Sequence, residues 1–539
     1  MSKEKEITCA TKPNGYLCLV LHAHLPYVRH PEKDYIMEEN WFYEALTETY
    51  IPLLLMFRNL RDDNVPFKLT MSLTPPLCAM INDELLQERY SRHLRKLISL
   101  AKKEIIRTRD DPQLNQIAEF YLDKFNLTYH LYENRFGRNL LKEFREAQEL
   151  GFLETITCAA THGYLPNMQF NVNAVRAQIR LGVESHTQNL GTAPKGIWLP
   201  ECGYYPGLEE ILHQEGLGFF FMETHGLLLG KPRPSYGVFA PVYCKDAPVA
   251  AFGRDVESSR SVWSADQGYP GHPSYRDFYK DIGYTLEMDY IAPYIDPAGI
   301  RIQTGIKYHR VTDRQSEEKE PYNRLEALRT ASEHAGNFMH NREQQILHLN
   351  EVMDRPPIIS SLYDAELFGH WWYEGPEWLN YLFRKSCFEQ NTYQLITPSE
   401  YLSLYPENDT IEPSFSSWGE GGYSYVWLNE TNSWIYRHIH RMENRMVESA
   451  RKFAGASGME RRILNQMARE LLLSQSSDWA FIMKTGTMVE YAIRRTKEHI
   501  SNFLKLYDLL NKESRDVAFL SLVESRNNIF PDIDFTIYC

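Results

Sequence analysis

The chain has 539 residues, of which 43% are hydrophobic and 24% charged, and a formal net charge of −13. That length exceeds one ordinary core, and that charge repels phosphate backbones and anionic lipid, which excludes nucleic acid and membrane as partners but not a neutral substrate. The charged opening MSKEKEITCATKPNG lacks the apolar stretch of a leader, no run is long enough to span a bilayer, and the eight cysteines, Cys9 to Cys539, include no C-x-x-C pair, so a cytoplasmic protein with reduced thiols is expected.

Seven short apolar runs follow in chain order, and each ends in polar residues. YLCLVLHAH ends at His22 and His24, FKLTMSLTPP at Thr74 and ETITCAATH at His162. GIWLPE ends at Glu201, FFFMETH at His225, PVAAFGRD at Arg254 and Asp255, and PIISSLYDAE at Asp364 and Glu366. Continuous apolar strands separated by helical segments predict a parallel sheet buried on both faces. Polar groups gathered at the strand ends mark the catalytic face of a barrel. An open doubly wound sheet also binds ligands there, but no G-x-G-x-x-G turn follows the first strand. IRIQTGIKY and TYQLITP also look like strands, so the runs alone leave the strand number open.

Between the second and third runs, residues 83–150 read as a helical insertion, with Leu94, Leu97, Ile98 and Ala101 at helical spacing. A Pro- and acid-rich stretch marks a boundary near residue 405. Beyond it, three apolar stripes predict helices: Ile435, Ile439, Met442 and Met446; Ile463, Met467 and Leu471; and Ile493 through Leu510. These boundaries give a barrel from 1–82 and 151–405, an insertion over 83–150 and a C-terminal helical domain over 406–539.

Glu201 and Asp364 stand out as strand-end carboxylates, one beside Trp198, Tyr204 and Tyr205, the other leading into DAELFGHWWYEGPEW. Breaking a glycosidic bond takes two carboxyl groups, and apolar neighbours both stack on sugar rings and raise an acid's pKa. Either acid alone could cap a helix or pair with an arginine. His22-x-His24 places two imidazoles on one strand face, which suits either sugar hydroxyls or a metal whose third ligand would be His162, His225 or Asp255. No H-E-x-x-H or cysteine cluster supports the metal, and no cofactor is called for. In SSWGEGGYSYVWLNETNSWIYRHIH, Trp418 and Trp427 flank a glycine-rich turn and are candidate sugar platforms, whereas Trp434 is expected to seat the helical domain. Asp478, in SQSSDWAFIMKTG, sits in a similar setting.

Five segments in order, LHAHLPYVRH, AATHGYLP, WLPECGYYPGLE, SLYDAELFGHWW and SSWGEGGYSYVW, together resemble the motif regions of glycoside hydrolase family 57. The ending NNIFPDIDF looks like that of its 1,4-α-glucan branching enzymes. The resemblance implies an α/β fold, an incomplete (β/α)7 barrel with a helical insertion and a C-terminal α-helical domain that completes the cleft. It also implies a retaining mechanism on α-1,4-glucan as donor and acceptor, with no cofactor or metal. Glu201 matches the family's nucleophile and Asp364 its acid/base. His22, His24 and His162 match substrate contacts, Trp263, Trp418 and Trp427 match glucan-binding tryptophans, and Tyr236 matches a mobile-loop tyrosine. Arg254, Asp255 and Asp478 join them as candidate substrate-binding residues. Other expectations of the same class are an α-amylase or a 4-α-glucanotransferase; of other classes, a catalytically silent glucan-binding protein or a metal-dependent hydrolase.

Overall fold

The computed structural model describes residues 12–264, 267–313, 316, 318–511 and 516–539; Cys9 lies outside them. Among the described residues the strands are β1 (Gly15–Ala23), β2 (Leu69–Leu73), β3 (Leu153–Cys158), β4 (Gly196–Trp198), β5 (Phe219–Met222), β6 (Val242–Cys244), β7 (Ala250–Gly253), β8 (Ile358–Asp364), β9 (Tyr393–Leu395) and β10 (Thr410–Ile411). They form one sheet in the order β10-β6-β7-β5-β4-β3-β2-β1-β8, with β9 also on β1. From β7 to β8 along that order every pairing is parallel, and those seven strands are the seven apolar runs.

The sheet curls into an incomplete barrel. β7 and β8 share no ladder, but the Asp255 N–H donates to the Ser360 carbonyl at 2.9 Å and the Tyr363 hydroxyl to the Ser258 carbonyl at 2.9 Å. Tyr16, Cys18, Val20, Trp198, Phe221, Phe252 and Leu362 fill the inside, while Leu17, Leu19 and Leu21 of the same strand face the outer helical layer. This period of two puts His22 on the inner face with Val20.

Residues 83–150 form helices Glu84–Arg107, Pro112–His130 and Leu140–Glu149. Asp83 and Asp111 accept the N–H groups of Leu86 and of Gln113 and Leu114, which starts the first two. Leu94, Leu97 and Ala101 are buried in the same core as β1 and β2, with Ile98 packed against it.

A second long connection, between β7 and β8, holds helices Val256–Trp263 and Arg324–Val352. The strand-like IRIQTGIKY lies here and forms no strand. The N–H groups of Thr304 and Gly305 donate to Asp281 instead, and the Lys307 N–H to the Tyr121 hydroxyl, so this backbone is satisfied without a neighbouring strand. TYQLITP does supply β9.

After residue 405 the chain first returns to the sheet. β10 pairs with β6, and Ser416 bridges Tyr204. Helices Tyr436–Lys452, Gly458–Ser474, Ser477–Thr485, Val489–Leu510 and Val517–Arg526 follow. Ile439, Met442 and Met446 are buried, as are Ile463, Met467 and Leu471. Trp434 packs against both large cores. Buried Glu470 accepts hydrogen bonds from Gln466 and Asn527 at 2.8 Å and meets His499 Nδ1 at 2.8 Å. The closing segment is thereby tied into the helices.

Candidate active site

Glu201 and Asp364 both lie at the C-terminal mouth of the barrel, with the charge of Asp364 acting on Glu201. Glu201 follows β4 in a turn whose backbone is left-handed, with φ 61° at Glu201 and 48° at Cys202. Such angles are costly for residues other than glycine and persist where packing over-determines them. Pro200 ends the strand, and the turn then aims the carboxylate across the mouth. Asp364 is the last residue of β8.

Glu201 is held on both oxygens. Trp418 Nε1–H donates to Oε2 at 2.8 Å and Ser477 Oγ–H to Oε1 at 2.7 Å. Burial pushes its carboxyl up to about 7; these two hydrogen bonds oppose the rise, and the charges of Asp478 and Asp364 add to it. Burial likewise raises Asp364 to about 6, opposed by Arg254 and His24. Among the described residues the Asp364 carboxyl makes no side-chain hydrogen bond. One acid is therefore fixed in direction and the other is left free.

The histidines pack into one stack. His22 lies on Trp198 with ring centres 4.6 Å apart, and His24 on His162 at 3.8 Å. Burial holds His22 and His162 well below the ordinary histidine value, each helped by a neighbouring imidazole. Burial would also lower His24, but the charge and hydrogen bond of Asp478, 3.0 Å from Nε2, raise it. Asp478 is in turn held at about 2, because the His24 pairing outweighs its own burial. The site thus sets one histidine whose charged form Asp478 favours beside two whose charged form burial disfavours.

The other expected residues divide. Arg254 follows β7, pairs with Glu223 at 3.2 Å and lies over the Trp418 ring at 5.7 Å. Asp255 is 4% exposed, and its carboxylate is committed to the protein. It caps the helix Val256–Trp263 through the Ser258 N–H at 2.8 Å, accepts from Gln345 at 3.0 Å and faces Arg342 at 3.7 Å. It closes the barrel and does not reach for a ligand. Trp427 is 1% exposed and stacks on Tyr164 at 5.0 Å, so it has no face left for a sugar. The glycines beside it serve a left-handed turn: a Cβ on Gly422, at φ 74°, would lie 2.6 Å from the His225 ring. Tyr236 is not at the mouth. Its hydroxyl donates to Asp354 at 2.5 Å, in the segment entering β8, the end of that strand opposite Asp364. Trp263 ends its helix with 62% of its surface exposed.

Two groups among the described residues bring three metal-ligand atoms within 4.8 Å of one another: His24, His162 and Asp478, and His22, Cys158 and His162. Within these groups the ligand atoms hydrogen-bond one another, His24 Nε2 to Asp478 at 3.0 Å and His162 Nε2 to His22 Nε2 at 2.9 Å. His225, the other suggested ligand, is 2.9 Å from the Gly422 carbonyl through Nε2.

Residues 18–355 match the family described as glycosyl hydrolase family 57. The chain belongs to this family. Residues 438–538 of this family 57 enzyme also match the family 1,4-alpha-glucan branching enzyme, C-terminal. It is 34% identical to a 1,4-alpha-glucan branching enzyme of Thermococcus kodakarensis over 96% of this chain and 77% of that protein. A crystal structure titled a family 57 branching enzyme of Pyrococcus horikoshii superposes with a TM-score of 0.88 at 34% identity, covering 97% of each chain. Another, titled the novel alpha-amylase AmyC from Thermotoga maritima, superposes with a TM-score of 0.91 at 45% identity, covering 97% of this chain and 99% of that one.

Three residues of the family 57 site escaped the sequence reading or were left outside its candidates. Ser477 donates to Glu201. Tyr50, in the π-helical turn Leu46–Tyr50, donates its hydroxyl to Glu366. Glu366 also accepts the His24 N–H at 3.3 Å, and burial raises it to about 7. The strand-end position of Glu366 was the one available signal; Tyr50 and Ser477 lie on helices and carry none.

Proposed function

We infer that this enzyme is a 1,4-α-glucan branching enzyme that works by a retaining double displacement, with Glu201 as nucleophile and Asp364 as acid/base. The observation that carries the reading is that residues of the branching-enzyme C-terminal match, Ser477 and Asp478, reach the carboxylate site itself. An α-1,4-glucan lies in the cleft. Asp364 gives its proton to the leaving glycosidic oxygen while Glu201 attacks the anomeric carbon and holds the chain as an ester. The 6-hydroxyl of an acceptor glucan, deprotonated by Asp364, then displaces Glu201 and forms the α-1,6 link. Retention asks for carboxyl groups roughly 5–5.5 Å apart, and a charge on Asp364 that acts on Glu201 is in keeping with two acids facing one cleft.

The hydrogen bonding supports the division of roles. A nucleophile gains from a fixed direction, and Glu201 accepts two donors. An acid/base gains from freedom to exchange its proton, and Asp364 is unencumbered. His22, His24, His162, Trp418 and Asp478 line the donor position in this reading, and Trp263 offers an exposed ring to longer chains. The chain is read as a barrel from 1–82 and 151–405, an insertion over 83–150 and a C-terminal region over 406–539. No helix among the described residues is long and apolar enough to cross a membrane, which is consistent with a cytoplasmic glucan-building role.

The test is to incubate the protein with amylose, debranch the product and size the chains. New short chains released by debranching support the reading. The 45% identity to a structure titled an α-amylase favours hydrolysis as the second reading. That reading predicts accumulating reducing ends without new branches.

A further inference from the structure

Both oxygens of Glu201 are held by groups that follow residue 405, Trp418 and Ser477. Ser477 also lies 2.7 Å from His162 Nδ1. A hydroxyl has one hydrogen. If it points at an ionised Glu201, Ser477 must accept from His162, which places that ring's proton on Nδ1. His162 Nε2 is then a lone pair, so the 2.9 Å contact requires the proton of His22 on its Nε2. His22 Nδ1 is left to accept from Ser72 Oγ at 3.1 Å. The line Ser72, His22, His162, Ser477, Glu201 has one direction in which all five groups are satisfied with both rings neutral.

The hydroxyl is delivered by backbone. The Ser477 N–H donates to the His162 carbonyl at 2.9 Å, Gly163 and Ser476 form an antiparallel bridge, and Thr161 Oγ1 donates to the Leu472 carbonyl at 2.5 Å. His162 itself sits at φ 57°. The segment after β3 and the start of helix Ser477–Thr485 are thus locked together, and the Oγ has little freedom to leave Glu201.

We propose that Ser477 is a positioning residue, which fixes the attack angle of the Glu201 carboxylate and links it to the docking of the C-terminal helices on the segment after β3. The proposal rests on the reading of Glu201 as nucleophile. The charged groups that face Glu201 are Asp364 from β8, Asp478 from the C-terminal helix and His24 from the end of β1, with His162 neutral beside it. None of them replaces a neutral donor on Oε1.

The experiment compares Ser477→Ala, Ser477→Cys and Ser477→Thr with wild type and Glu201→Gln in the full-length protein, using amylose as substrate. Each rate is normalised to folded protein by its melting transition. Ser477→Ala is expected to lower kcat by about ten- to a hundred-fold, the effect of one hydrogen bond to a charged group, with KM nearly unchanged. The acid limb of its pH profile moves up by about one unit, because a donor to the ionised form is lost. Ser477→Thr restores most of the rate, and Ser477→Cys, a weaker donor, falls between. A wild-type kcat in Ser477→Ala, a fallen kcat with an unmoved acid limb, or a Thr variant as impaired as the Ala variant overturns the proposal. Full activity in Glu201→Gln defeats the nucleophile reading itself, whatever Ser477 does.

Discussion

Asp255 is the residue whose expected role changes most, and substitution tests the change. Asp255→Ala removes three things at once. The helix Val256–Trp263 loses its cap on Ser258, worth ~1 kcal/mol. Gln345 loses its acceptor, worth ~1 kcal/mol. Arg342, fully buried, loses one of the two carboxylates that face it and keeps Glu257; breaking a buried pair on one side costs about 3–5 kcal/mol. These effects overlap, so the net loss is about 3–5 kcal/mol. Asp255→Asn keeps the cap and the Gln345 bond and loses only the charge, so it should cost about half as much or less. Thermal unfolding followed by circular dichroism at pH 7 ranks wild type above Asp255→Asn, and that above Asp255→Ala. The rate per folded molecule and the KM for amylose stay near wild type in the Asn variant. A stable Asp255→Ala protein with a raised KM would refute the reasoning and return Asp255 to the substrate.

Glu201 has an ordinary value of 4.5 and is raised to about 7 in the folded protein. A raised carboxyl contributes stability that is fully present below the unfolded value and is lost as pH rises through the folded one. Glu201→Gln should therefore melt above wild type at pH 7.5, and the gap should close as pH falls to about 4.5; a gap that is constant with pH counts against the raised value. Trp427→Ala opens the core against Tyr164 and should cost about 3–5 kcal/mol of stability, whereas Trp418→Phe should melt like wild type and lose about ten-fold or more in kcat. The reverse pattern would make Trp427 the sugar platform after all. Dialysis against a chelator should leave the rate unchanged; loss of activity restored by zinc would favour the metal at His24, His162 and Asp478.

The barrel strands were legible because a strand buried on both faces must be apolar throughout, and a chain that crosses from core to solvent at one mouth must switch abruptly to polar residues. Every one of the seven runs carries that switch, so both the strands and the direction of the mouth could be read from sequence. Glu201 and Asp364 were legible for a related reason: an acid set among tryptophans and tyrosines is costly unless it has a task. Other residues were misread where one chemistry serves two ends. A tryptophan beside glycines can be a platform or a core residue: Trp418 donates to Glu201, and Trp427 is buried against Tyr164. An aspartate after a strand can reach out or cap the next helix, and Asp255 does the second. Isolated apolar residues at 300–308 mimic a strand, but Asp281 takes the N–H groups a neighbour would need. Ser477 could not be found at all, because a hydroxyl at the start of a helix gives no pattern until the fold brings it to Glu201.

The central claim is covalent chemistry at Glu201, and trapping tests it most directly. Asp364→Ala, incubated with an α-maltooligosaccharyl fluoride, can still form an ester because fluoride leaves without a proton, yet it lacks the base that hands the chain to an acceptor. Digestion and mass spectrometry should find the glycosyl mass on the peptide that carries Glu201. An adduct on another residue, or none while the Glu201→Gln enzyme still branches amylose, would contradict the account.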